Sequence, residues 1–144
     1  MLSTRAFYRA AALGPLAGLA VAAVLASPAA LPEGWDWVYP TSITRGLVAY
    51  ALLAGWLWIE IGRRPISGLA RLVWLMPLAY VALGWLLMVS LSLLRGEAAA
   101  LWAEHGGALA FRTAVHLVVG YGYVALVHIA LERLRQAGGI ADGP

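Results

Sequence analysis

The sequence predicts an all-α fold: a single membrane domain over residues 1–144, a four-transmembrane-helix bundle with both chain ends in the cytoplasm. Three observations predict it. First, 62% of the 144 residues are hydrophobic and 12% are charged, whereas a soluble domain is about half apolar and about a quarter charged. So little polar surface cannot coat a globule of this size, which excludes an ordinary soluble enzyme and a disordered regulator. Second, there are four apolar stretches, 10–27, 43–62, 69–94 and 109–131. Each holds the roughly 18 or more residues that cross about 30 Å of hydrocarbon at about 1.5 Å per residue. Third, Arg5, Arg9, Arg63, Arg64, Arg71, Arg133 and Arg135 fall on one side, against Arg45, Arg95 and Arg112 on the other. The richer side reads as cytoplasmic.

In lipid each backbone polar group must bond within its own segment, so the four stretches are expected to be helices; none alternates with the period of a barrel strand. The first also has the look of a cleavable signal peptide, with Arg5 and Arg9 ahead of an apolar run ending Val24-Leu25-Ala26. Against cleavage, it is longer than a usual signal core. It also carries Ala10, Gly14, Gly18, Ala22 and Ala26 at four-residue spacing, a small-residue stripe that lets another backbone approach.

The 28–42 connection holds Pro28, Pro32 and Pro40 and should be irregular. Its Trp35-Asp36-Trp37-Val38-Tyr39 segment suits the lipid–water interface, or alternatively a periplasmic docking patch. The second stretch ends at Arg63-Arg64-Pro65, a tight cytoplasmic turn. Pro77 inside the third frees the Val73 carbonyl and predicts a kink. Residues 97–105 are expected to form a short interfacial helix closed by Gly106-Gly107, with Trp102 dipping into lipid. The tail 138–144 is expected to fray. Helices one and two show no repeat in three and four, so an inverted-repeat transporter finds no support.

Polar groups inside a membrane are costly and are the first place to look for function. On the fourth stretch Arg112, His116, Gly120, Val124, His128 and Glu132 recur every four residues. Such a stripe drifts about 40° per step, leaving His116 and His128 on different faces and about 18 Å apart along the axis. Seven-residue spacing places His116 over Tyr123 and Tyr121 over His128, with Gly120 and Gly122 between them as close-packing positions. His116 lies nearest the bilayer middle. A neutral imidazole there needs a partner, and Tyr50, Tyr80, Ser90, Ser92 or a carbonyl on another helix are the candidates.

The alternative is a cofactor site at His116 and Tyr123, for haem b or a quinone. The His116-x3-Gly120 step is similar to haem-carrying anchor helices of respiratory complexes. Helices one to three contain no histidine, so a haem would need Met76, Met88, a second copy or a partner subunit for its other ligand. At the cytoplasmic interface Glu60, Arg63, Arg64, Arg71, His128 and Glu132 are expected to share one polar cluster, with Glu60 paired to the arginines one turn away.

There is no GxSxG, HExxH or CxxC motif, no phosphate-cradling loop and no cysteine. The net charge of +3 belongs to membrane orientation, with no nucleic-acid partner expected. The chain is therefore expected to be a non-enzymatic subunit or accessory protein of a bacterial cytoplasmic membrane, packing into a larger assembly or a homo-oligomer. One alternative is an electron-transfer anchor holding haem b or quinone through His116. Another is a small proton-coupled transporter or channel using Glu60, His116 and His128.

Overall fold

The computed structural model describes the backbone of residues 2–25, 45–96 and 98–141. The expectations for the 28–42 connection, its aromatic segment and the last three residues lie outside these, as do the side chains of Ala22 and Trp102. The described residues form four helices: α1 Thr4–Leu25, α2 Arg45–Arg63, α3 Ile66–Leu94 and α4 Ala98–Gln136. Two strands of two residues, β1 Leu2–Ser3 and β2 Ile140–Ala141, pair in parallel. Two of the helices are long and apolar enough to cross a membrane: α3 throughout, and α4 from Leu109 onward.

α1 begins earlier than the apolar stretch implied, so Arg5 and Arg9 lie on its first turns. The Ser3 hydroxyl oxygen accepts from the Ala6 amide at 3.2 Å and caps the helix. Arg63-Arg64-Pro65 makes the expected turn, and Pro65 opens α3 in an extended conformation. Gly96 takes a positive φ of 72° as α3 ends, a conformation that costs glycine little.

α4 corrects one expectation. It is a single helix of 39 residues that runs through Gly106-Gly107 without breaking. Neither glycine adopts a positive φ, so neither makes the left-handed cap that would end a helix. Two mid-helix glycines cost about 1 kcal/mol each against alanine. No proline stands between Ala98 and Gln136 to remove an amide. α4 ends instead at Gly138, φ 70°. There the Gly138 and Gly139 amides donate to the Arg135 and Leu134 carbonyls at 3.0 and 2.8 Å, the bond pair of a Schellman cap. That turn aims β2 at β1, where the Leu2 amide donates to the Gly139 carbonyl at 3.0 Å. The described chain ends therefore lie together at one end of the bundle.

Consecutive helices pack against each other, while α1 and α4 touch more sparingly. The packed core lies toward the chain-end pole, built from Tyr8, Leu57, Ile61, Leu69, Leu72, Val124 and Leu131. Two cavities among the described residues, the larger of them bordering this core at Tyr8, Leu57 and Val124, place the site.

Candidate functional site

The site begins with a residue the sequence reading passed over. Pro15 lies inside α1 and has no N–H, so the carbonyl four residues before it, Ala11, loses its helical donor. The Tyr123 hydroxyl on α4 donates to that carbonyl at 2.6 Å, and the Tyr50 hydroxyl on α2 donates to the neighbouring Ala12 carbonyl at 2.9 Å. A helix tolerates an internal proline when a neighbour re-satisfies the freed backbone group; the Tyr123 phenol does so here, and the Tyr50 phenol adds a second donor one residue on. The signal was legible: the rule that marks Val73 as freed by Pro77 marks Ala11 as freed by Pro15.

Pro77 is received by a small residue. A Cβ built on Gly120 would stand 2.9 Å from the Pro77 side chain, so the α3–α4 crossing depends on glycine at that position. Gly14 serves a similar purpose on α1, since a Cβ there would strike the Tyr123 hydroxyl. Both glycines are thus used within the chain. Gly18 and Gly122 meet nothing within 4 Å. The α1 stripe, read from sequence as a face for another chain, turns Gly14 toward its own α4.

Two cavities flank α3 and α4. The larger, about 580 Å³, lies between α1 and α4 and is bounded by α2 and α3; its walls include Gly18, Tyr50, Met76, Val119 and Tyr123. The smaller, about 390 Å³, is lined by Gly46, Trp85, Met88 and Thr113 among others. Tyr80, Arg112 and His116 line both, so one polar corner stands at the junction of two apolar spaces. The Trp85 indole donates to the Thr113 hydroxyl at 2.9 Å, tying α3 to α4 beside that corner. The Tyr80 ring lies between Tyr50 and His116, with centroids 5.9 and 5.7 Å away. Gly46 makes room for the Tyr80 hydroxyl, which a Cβ there would approach to 2.6 Å.

His116 corrects a second expectation. Its Nδ1 bonds the Arg112 carbonyl of its own helix at 2.7 Å, not a group on another helix. A carbonyl only accepts, so Nδ1 carries the proton and a neutral ring keeps its lone pair on Nε2. No described residue bonds that Nε2. The reason is local: in a helix the carbonyl at i−4 lies within reach of a histidine ring, and it outcompetes more distant partners. His116 and Tyr123, the pair read as a cofactor site, do share the wall of the larger cavity. His128 bonds the Val124 carbonyl at 3.0 Å in the same way and sits between Tyr8 and Trp74, whose centroids lie 6.3 and 5.5 Å away. Trp74 also stacks on Tyr121 at 5.9 Å.

The polar residues expected at the cytoplasmic interface share a pole but not one cluster. Glu60 accepts from the Arg64 guanidinium at 2.8 Å. Arg5 reaches the Arg64 carbonyl at 3.4 Å, and Arg9 lies 4.9 Å from the centre of the Trp58 ring. Glu132 turns to Gln136 at 3.4 Å, Arg63 and Arg71 are exposed, and His128 is drawn into its aromatic neighbours. Charged side chains at a helix end bond along their own helix or enter solvent, at lower cost than meeting across the bundle. Among the described residues no three metal-ligating side chains converge.

Compared with known protein families, curated proteins and solved structures, the chain matches none.

Proposed function

We propose that this chain is a small, non-enzymatic integral membrane protein of a bacterial cytoplasmic membrane. In this reading all four helices cross the bilayer with both ends in the cytoplasm. The protein packs, as an accessory subunit or homo-oligomer, against other membrane-spanning chains. The observation that carries the reading is the outer surface. Large apolar side chains stand exposed along the helices, among them Trp56, Ile59, Leu75, Leu86, Val118 and Leu126. In water such a face would drive aggregation; in lipid it is an ordinary exterior. The joining of β1 to β2 supports chain ends on a common side, and the arginine excess supports the cytoplasm as that side. Gly55, Gly84 and Gly122 stand where an added Cβ meets nothing, and such small residues let a neighbouring helix approach closely.

The test is sizing with light scattering after mild detergent extraction, alongside reporter fusions at both ends. The expected result is a homo-oligomer or co-purifying membrane chains, with Gly122→Leu shifted toward the monomer. A wild-type protein that is monomeric and partner-free overturns the packing role. Chain ends on opposite faces overturn the topology.

A further inference from the structure

At the junction of the two cavities the polar groups of Tyr80, Arg112 and His116 border mostly apolar space. The larger cavity is mostly apolar, and at about 580 Å³ it falls in the range of about 300–1,000 Å³ typical of small-ligand sites. It lies between α1 and α4, which touch each other sparingly. Its α4 wall includes Phe111, Val115 and Val119, which are exposed on the bundle surface. In a bilayer that opening faces lipid, so a molecule dissolved among acyl chains reaches it sideways. The Tyr123–Ala11 hydrogen bond ties α1 to α4 in its wall.

The polar corner selects the head of such a molecule. Arg112 is a fixed donor that stays charged at any physiological pH. His116, with Nδ1 committed to the Arg112 carbonyl, offers Nε2 as an acceptor. Donor and acceptor lie one helical turn apart, about 6 Å along the axis. His116 sits four residues, about 6 Å, from the middle of the 109–131 stretch. The Tyr80 ring stands tilted against the imidazole, and Tyr50 follows it, so aromatic faces border the corner.

We infer that the Arg112–His116–Tyr80 corner and the apolar cavity beside it form a binding site for a ring-headed membrane amphiphile, a quinol. A ring oxygen accepts from the Arg112 guanidinium, a quinol hydroxyl donates to His116 Nε2, and the tail lies along Val115 and Val119. A fatty acid shares the apolar tail and the acceptor oxygens, but its carboxylate has no proton to offer Nε2. This inference concerns binding alone and stands apart from the packing role: a monomer can hold the ligand, and an oligomer can lack it.

The experiment is anaerobic calorimetric titration of the full chain in detergent with three probes: decylubiquinol, n-decylbenzene and oleate. The expected result is saturable binding of decylubiquinol near one per chain, with decylbenzene and oleate at least tenfold weaker. His116→Leu and Arg112→Gln should each weaken decylubiquinol at least tenfold. Gly18→Leu, which adds bulk to the cavity wall where a Cβ meets nothing, should weaken it too. Leu86→Ala, on the outer face of α3, should leave it unchanged. Absence of saturable binding overturns the inference, as does equal binding of decylbenzene or stronger binding of oleate. Should the variants unfold, the three probes on the wild type decide alone.

Discussion

Replacing Tyr123 with phenylalanine removes one oxygen atom and should cost the bundle more than an ordinary hydrogen bond. The Tyr123 hydroxyl supplies the donor that Pro15 withholds from the Ala11 carbonyl, at 2.6 Å. A side-chain hydrogen bond inside a membrane protein averages about 0.6 kcal/mol, because the unfolded state finds other partners. Here the partner left behind is a half-buried backbone carbonyl without its helical amide, and a buried acceptor left unpaired costs about 1–3 kcal/mol. Tyr123→Phe should therefore destabilise by about 1–3 kcal/mol. Pro15→Ala restores an amide four residues beyond Ala11. In that background the carbonyl has its own donor, and the same tyrosine substitution should cost about 0.6 kcal/mol or less. The difference, about 0.4–2.4 kcal/mol, is the coupling energy of a double-mutant cycle. Unfolding the four proteins by sodium dodecyl sulfate in mixed micelles, followed by circular dichroism, gives each term. Equal cost of Tyr123→Phe with and without Pro15 would refute the reasoning, because the phenol would then be indifferent to the proline.

Further outcomes follow from the glycines and the polar ties. Gly120→Ala drives a methyl against the Pro77 side chain at 2.9 Å and should destabilise by about 1–3 kcal/mol through overpacking. Gly122→Ala enters open space and should be neutral or stabilising by up to about 1 kcal/mol from helix propensity; thermal melts should show a lowered midpoint for Gly120→Ala and no lowering for Gly122→Ala. Gly46→Ala should push the Tyr80 ring from its place beside His116, which the decylubiquinol titration reads as weaker binding. Glu60→Gln breaks a pair whose Arg64 side chain is 47% exposed and should cost no more than about 0.5 kcal/mol. A loss above 1 kcal/mol by denaturant titration would show that Glu60 is doing something beyond pairing with Arg64.

Much of the architecture is written in composition. Apolar stretches of membrane-crossing length give helices because lipid offers the backbone no other partner. α2 and α3 fall within a few residues of the stretches that imply them. The Arg63-Arg64-Pro65 turn follows from the restrictions proline places on its neighbours. The start of α1 and the length of α4 were less legible. Their outer turns are polar or glycine-containing, and hydrophobicity says nothing about where a solvated helix stops.

The site is divided in the same way. That His116 and Tyr123 belong together is a matter of helical periodicity, and both line one cavity. The tautomer of His116 follows from a carbonyl within its own helix, so local geometry decides it. The pairing of Pro15 with Tyr123, of Pro77 with Gly120, and of Arg112 with Tyr80 at a shared corner needs the positions of three helices at once. Periodicity sets which residues share a face, but the faces of different helices meet only through rotation and offset. Those are fixed by the close packing of particular side chains. The sequence alone thus determined that the chain is helical and which apolar stretches form the helices, two of them long enough to cross a membrane. The tertiary structure alone decided which carbonyl a tyrosine answers, and where a space is left open beside an arginine and a histidine.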